Sequence, residues 1–413
     1  MRTLIRHISR LYGILDTNQP FKAGADMAHF PYLENAWLLI EDQKIKDFGV
    51  MPKEDVQSPA HDSDRIIDAT GKMVLPAFVD SHTHLVFPAS REEEFVMKIQ
   101  GKSYEEIAAA GGGILNSAAK MALTSEKDLY KSALHRVQEL IAMGTGALEI
   151  KSGYGLDLEN ELKMLRVIRR LKDISPIPIK ATFLGAHTYP QAFKDNHEGY
   201  IQQIIEEMLP EIAAEGLADY IDVFCEKGFF SPEETERILE AGYKHGLKGK
   251  IHGNQLGLNG GVQAAVKMGA VSVDHLEYTG EAEIEALRGS KTMPVALPNC
   301  SFYLRMPYTP GRQIIDAGLP LCLATDYNPG SAPSGDMRFV VSLACIQMKL
   351  LPEEAFNAAT LNAAYALNME EELGSISKGK IANLIITKEI PSLNWIPYAF
   401  RSEWIDKVII KGH

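Results

Sequence analysis

Eight short apolar runs, each ending on or just before a polar residue, recur between residues 73 and 325, with amphipathic stretches between them. They cover 73–87, 147–151, 179–184, 220–225, 249–252, 271–275, 293–298 and 320–325. Runs of this length and apolarity read as buried strands, and their alternation with helical patterns argues for βα units and a parallel sheet. The helical patterns lie at 159–172, 200–214, 232–245 and 352–367. In the third, Ser231 precedes Pro232, with Glu233 and Glu234 in the first turn, which is good helix-start chemistry. Eight such units favour a closed barrel. An open doubly wound sheet would want a glycine-rich phosphate turn after its first strand, whereas the first run here ends in Asp80-Ser81-His82-Thr83-His84.

The two ends of the chain have a different texture. Residues 36–40, 44–49 and 66–71 near one end, and 382–387 and 408–410 near the other, read as short strands punctuated by Gly374, Gly379 and Gly412. The expected fold class is α/β: a (β/α)8 TIM-like barrel over 76–370, with a small β-sandwich domain built from both chain termini, 1–75 and 371–413.

Charge and composition narrow the partners. With 42 basic against 54 acidic residues, a net charge of -12, the chain gains nothing from a phosphate backbone, so no nucleic acid is expected. No run of 18 apolar residues exists, so no membrane span is expected. The opening MRTLIRHISRLYGIL is broken by Arg2, Arg6 and Arg10 and lacks the apolar centre of a signal peptide. Cys225, Cys300, Cys322 and Cys345 form no CxxC pair and mostly sit in apolar runs, as suits reduced, buried thiols in a cytoplasmic protein.

The polar residues at the strand ends carry the chemistry, because in a barrel those ends converge on one face. They are His82 and His84, Lys151 and Tyr154, His187, Glu226, His252, His275, Asn299 and Asp326, in strand order. Residues two apart in a strand point to the same side, so His82 and His84 can share one ion at about 2.0–2.1 Å, with Asp80 on that side to orient a ligand from behind. Three imidazoles and a carboxylate, from His82, His84, His252 and Asp326, suit zinc or iron rather than calcium or magnesium. His275 is either a further imidazole ligand or a catalytic neighbour, and the second reading is preferred because four ligands are already present. Gln255 is either a loop residue bonding backbone or an amide facing substrate. Arg91, followed by Glu92-Glu93-Glu94, is either a surface ion pair or a carboxylate clamp. Lys151 reads as a structural ion pair, with Glu226 on offer from the fourth strand. Gly111-Gly112-Gly113 is followed by no GK[ST] and reads as a helix end and hinge rather than a phosphate loop.

The segment Pro76-Ala77-Phe78-Val79-Asp80-Ser81-His82-Thr83-His84 resembles the opening motif of the metal-dependent amidohydrolase superfamily. Ser90-Arg91-Glu92-Glu93-Glu94-Phe95, Gly111-Gly112-Gly113-Ile114-Leu115, Glu149-Ile150-Lys151-Ser152-Gly153-Tyr154-Gly155-Leu156, Phe183-Leu184-Gly185-Ala186-His187 and Ala324-Thr325-Asp326-Tyr327-Asn328-Pro329-Gly330-Ser331 resemble its imidazolonepropionase family, in order along essentially the whole chain. The resemblance implies hydrolysis of 4-imidazolone-5-propanoate to N-formimidoyl-L-glutamate in histidine breakdown, one zinc or iron ion, a cytoplasmic location and a homodimer. It implies His82, His84, His252 and Asp326 as metal ligands. It places Arg91, Tyr154, His187, Gln255, Asn328, Gly330 and Ser331 around a small anionic substrate.

Family members often carry Glu where Gln255 stands; an amide only hydrogen-bonds, so proton work shifts to His275 and Asp326. A metal that lowers a water's pKa from about 15.7 to about 7 supplies the nucleophile that neutral water lacks. His275 is then expected to stabilise the oxyanion, and Asp326 to carry a proton to the departing nitrogen. The alternative is a superfamily deaminase acting on a nucleobase-like ring, which ammonia release distinguishes. An Fe(II) oxygen enzyme would consume oxygen.

Overall fold

The computed structural model describes residues 2–15, 19–52, 63–102, 106 and 112–413, so Gly111 lies outside the described residues. Two sheets account for the described strands. The first draws on both ends of the chain: β1 (Arg2–Tyr12), β2 (Tyr32–Glu41), β3 (Lys44–Val50), β4 (Arg65–Asp68) and β5 (Lys72–Pro76). The second holds eight parallel strands: β6 (Phe78–Asp80), β7 (Thr145–Lys151), β8 (Ile179–Ala186), β9 (Tyr220–Cys225), β10 (Lys248–Gly253), β11 (Ser272–His275), β12 (Met293–Ala296) and β13 (Cys322–Leu323). The chain then returns to the first sheet with β14 (Leu384–Glu389) and β15 (Ile405–Ile409).

In the terminal sheet the order is β15-β14-β5-β1-β2-β3, with β4 also on β1. The central strand, β1, is the one the sequence did not announce. Its ladder to β2 slips between Ile5 and Ile8, and His7 takes a left-handed φ of 55°. This bulge breaks the alternation that marks a half-buried strand. Ile5, Ile8, Leu11, Leu38, Ile40, Val74, Leu384 and Ile386 fill this sheet's own core.

The eight-stranded sheet runs from β6 to β13 in sequence order, every neighbouring pair parallel. Its ends meet just past the last ladder rungs: Asp326 N–H donates to His82 O (3.0 Å) and His84 N–H to Tyr327 O (2.9 Å). Asp80 completes the seam by accepting from Thr325 N–H (3.0 Å) and Thr325 Oγ1 (2.6 Å). Asp80 therefore ties the last strand to the first and does not back a histidine, as the sequence had suggested.

The expected run 73–87 divides between the sheets. β5 pairs with β1 and β14, and β6 opens the barrel, with Ala77 N–H donating to Asn383 O at the crossing (2.9 Å). Around the barrel, Leu158–Ile174 turns Leu162, Leu165, Ile168 and Leu171 inward, its first turn capped by Asp157. Pro232–Lys244 starts with a full capping box between Ser231 and Glu234. The expected helix over 200–214 is three pieces, His197–Gln202, a π-helical turn Gln203–Met208, and Leu209–Glu215. Pro210, lacking an N–H, removes one helical bond there. The expected helix over 352–367 breaks at Thr360 (φ -128°, ψ -86°) into Pro352–Ala359 and Leu361–Tyr365. Among the described residues, no helix is long and apolar enough to cross a membrane. The four cysteines are unpaired, three of them buried.

Candidate metal centre

The C-terminal ends of the barrel strands bring His82, His84, His252 and Asp326 together, all buried. His84 Nε2 lies 3.3 Å from His82 Nε2 and 3.4 Å from His252 Nε2. Asp326 Oδ1 stands 3.5 Å from Nε2 of both His82 and His84. A tetrahedral ion with bonds of about 2.0–2.1 Å would separate its ligand atoms by about 3.3–3.4 Å. The spacing fits.

The protons point the same way. His82 Nδ1 faces Asp274 Oδ2 at 2.6 Å, and His252 Nδ1 faces Asp222 Oδ2 at 3.0 Å. At His82 the carboxylate hydrogen-bonds Nδ1, fixes the proton there and leaves Nε2 as a bare acceptor; at His252 the Asp222 contact is an ion-pair distance. The Nε2 atoms of both rings crowd that of His84, an arrangement that a cation relieves. Burial, reinforced by the charge of Lys151, holds the His82 imidazole well below its ordinary pKa. Burial with neighbouring His187 does the same at His84. At His252 burial also wins, against the upward pull of Asp222. Neutral imidazoles are the ligating form.

His275 sits beside this set, its ring centroid 5.3 Å from that of His252 and 5.7 Å from that of His82. Its Nδ1 is 3.3 Å from Glu277 Oε1. Against the cost of burial, Glu277 and Asp326 raise its pKa to about 9. Asp326 is pushed up to about 6 by burial, against the pull of His275. Both residues have positive φ, 88° and 56°.

His187 and Tyr154 form one wall. The His187 ring stacks on His84 (5.3 Å between centroids) and lies 5.4 Å from Tyr154, while its Nδ1 donates to Gly153 O (2.8 Å). Burial lowers the His187 pKa to about 3 and raises that of Tyr154.

The turn after β13 also borders the site, through Asp326. Asn328 Oδ1 accepts from the N–H groups of Gly330 and Ser331, both 2.8 Å. Ser331 Oγ donates to Asp326 Oδ2 (3.3 Å). Gly330 has no room for a Cβ, because the Arg91 guanidinium fills that space. Arg91 forms an ion pair, but a buried one and not a surface one. Its Nε and Nη2 form a two-pronged pair with Glu94 (2.9 and 2.5 Å), yet the side chain is mostly buried and lines a cleft of about 510 Å³ with Phe87, Tyr303 and Tyr327.

Gln255 Nε2 reaches Cys300 Sγ (3.4 Å), and the Gln255 backbone N–H donates to Glu226. Cys300 lies close enough to His275 and Asp326 to share an ion with them, a position its apolar run concealed. Glu226 binds backbone and Asn259 and does not meet Lys151, whose partners are Glu149 and Asp222. Asn299 belongs to the short helix Pro298–Leu304 and donates from Nδ2 to Ser334 O (3.0 Å). Sequence reasoning missed Asp222 as a partner of His252 and Asp274 as a partner of His82. Their only signal was a charged residue inside an apolar strand.

The model of the amidohydrolase family matches residues 73–413. Proteins named imidazolonepropionase are 57% identical over 412 residues in Flavobacterium johnsoniae and 54% identical over 412 residues in Christiangramia forsetii; each alignment covers 100% of this chain and 99% of the relative. One from Thermoanaerobacter pseudethanolicus is 40% identical over 406 residues, 98% of this chain and 96% of the relative. Among solved structures, a triazine hydrolase variant superposes with a TM-score of 0.74 at 16% identity, covering 100% of this chain and 94% of its own. A zinc-bound adenosine deaminase from Xanthomonas campestris gives 0.68 at 17% identity, with 99% and 92% covered. At those identities the structures speak for the fold.

Proposed function

The chain belongs to the amidohydrolase family and, within it, to the imidazolonepropionases, and from that premise we propose how its residues open the ring of 4-imidazolone-5-propanoate. It is a hydrolase of a carbon–nitrogen bond in a cyclic amide, producing N-formimidoyl-L-glutamate in histidine degradation. The observation that carries the assignment of the site is the meeting of His82 Nε2, His84 Nε2 and Asp326 Oδ1 within 3.3–3.5 Å of one another, with His252 Nε2 3.4 Å from His84 Nε2.

His82, His84, His252 and Asp326 would hold one ion, zinc or iron. When bound, that ion supplies Lewis-acid activation of the attacking water. Water adds to the lactam carbonyl, the carbon–nitrogen bond breaks, and the ring nitrogen leaves with a proton. Asp326 Oδ2, steadied by Ser331, takes the proton from water and passes it to that nitrogen. His275, held by Glu277, stabilises the oxygen as its charge grows.

Arg91 grips the propanoate. Its planar fork is already set by Glu94, so little freedom is lost on binding. Tyr154 and His187 hold the ring, Asn328, Gly330 and Ser331 border the site, and Gln255 contributes hydrogen bonds only. A net charge of -12 does not repel the anion, since salt screens charges beyond about 8–10 Å and Arg91 is local. The unpaired cysteines support a cytoplasmic setting. We assign a homodimer, which sedimentation tests.

The deciding assay follows the loss of imidazolonepropionate absorbance. Turnover is expected, abolished by a chelator and restored by zinc or iron. Full activity in metal-stripped protein would remove the proposed centre.

A further inference from the structure

Behind His82 and His252 lies a buried charged cluster that the reaction does not use. Lys151 is fully buried. Its Nζ donates to Glu149 Oε1 (2.7 Å) and Asp222 Oδ2 (2.8 Å) and stands 3.9 Å from Asp274 Oδ2. The same Asp222 Oδ2 faces His252 Nδ1 at 3.0 Å, and the same Asp274 Oδ2 faces His82 Nδ1 at 2.6 Å. Asp222 also accepts the His252 backbone N–H through Oδ1 (3.2 Å). One ammonium thus stands behind two carboxylates, each aimed at a different imidazole.

A purely structural pair would not require this sharing. Burying an ammonium carries a desolvation penalty, and a well-packed apolar side chain in its place is often neutral or stabilising. The cluster is also asymmetric. The cluster's other lysine, Lys250, donates Nζ to Ser81 O (2.9 Å) and lies 3.4 Å from Glu149, and its charge also acts on Asp274. Of these two lysines, Lys151 is the one that contacts Asp222, and it stands 3.9 Å from Asp274 as well.

We propose that Lys151 is a positioning residue for the metal centre: it clamps Asp222 and Asp274 so that His252 and His82 present Nε2 to one ion. This rests on the metal reading of His82, His84, His252 and Asp326. Without the clamp, Glu149, Asp222 and Asp274 repel one another, turn away, and release the two rings. Coulomb attraction alone predicts the reverse, since losing a nearby positive charge would tighten a cation. The clamp dominates because each carboxylate contacts its ring directly, whereas Lys151 reaches the ion only across an imidazole.

The test uses the full chain as wild type, Lys151→Met, and the charge-balanced Glu149→Gln/Lys151→Met. Zinc affinity is measured by competition with a chromogenic chelator, and the visible spectrum is recorded with cobalt in place of zinc. Both variants are expected to bind zinc about 10–100-fold more weakly, the usual effect of losing an outer-sphere partner, with an altered cobalt spectrum. Should Lys151→Met fail to fold, the balanced variant carries the reading. A folded variant that holds zinc as tightly as wild type, or more tightly, with an unchanged cobalt spectrum would overturn the clamp. Wild type that takes up neither metal would instead overturn the metal reading beneath it.

Discussion

At the residue scale, the ends of β11 and β13 store backbone strain where the chemistry is concentrated. His275, Leu276 and Asp326 adopt φ of 88°, 65° and 56°, conformations that cost about 1–3 kcal/mol each in a side-chain-bearing residue. They persist because neighbours hold them: Thr309 Oγ1 donates to His275 O (2.7 Å), and Asp326 N–H to His82 O. Asp326 is thereby aimed at two imidazoles and at Ser331 together. Asp326→Asn is expected to lower kcat by about 10²–10⁴ even after metal is restored, read by kinetics alongside metal content; near-normal turnover would take Asp326 out of proton transfer. Arg91→Ala removes a charge-assisted contact of about 1.5–3 kcal/mol, so KM should rise by about 10–100-fold while metal content stays at wild-type level. Lost metal with unchanged KM would end the carboxylate-clamp role. The candidate ligands were legible because a strand repeats every two residues and strand ends converge. Asp222 and Asp274 were not, because their meeting with His252 and His82 depends on neighbours far apart in the chain.

At the element scale, legibility tracked periodicity. Tyr220–Cys225 and Pro232–Lys244 stand almost where their patterns put them, since each is bounded by strong local signals. β1 was hidden by its bulge, and the 73–87 run concealed a passage between two sheets. β13 keeps only two residues in the ladder because the seam beyond it is carried by Asp80, Thr325 and the backbone of Asp326 and Tyr327. Nothing in a one-residue window announces such a substitution of side-chain bonds for ladder bonds. The capping box of Pro232–Lys244 gives a clean element-level test. Ser231→Ala removes the acceptor for Glu234 N–H (3.2 Å) and should cost about 1 kcal/mol. That loss would appear as a lower urea midpoint with an unchanged slope and KM. No shift would mean the first turn is held by tertiary packing alone.

At the scale of the whole molecule, the two sheets share one packed join. Tyr12, Phe30, Phe356, Phe78 and Trp404 form a line of ring contacts at 5.8, 5.9, 5.9 and 6.4 Å that runs from the terminal sheet into the barrel. Asn383 Nδ2 donates to Gly146 O (2.8 Å) across the same join. Lys380 lies where the chain re-enters the terminal sheet, donating to Leu373 O (3.0 Å) and Ser375 Oγ (2.7 Å). Burial lowers its pKa to about 8, although Glu370 and Glu371 pull the other way. In the unfolded chain a lysine titrates near 10.4. Below pH of about 8 both states hold the proton and the burial cost is present in full. Between about 8 and 10.4 the unfolded state binds more protons, so this lysine's contribution makes stability rise with pH. Above that window both are neutral and the cost is gone. Lys380→Met lacks this term while sharing every other titration. The wild-type urea midpoint should therefore gain on the variant's as pH is raised from 7.5 to 10.4, and a constant difference across that range would show that Lys380 keeps an ordinary pKa in the folded protein.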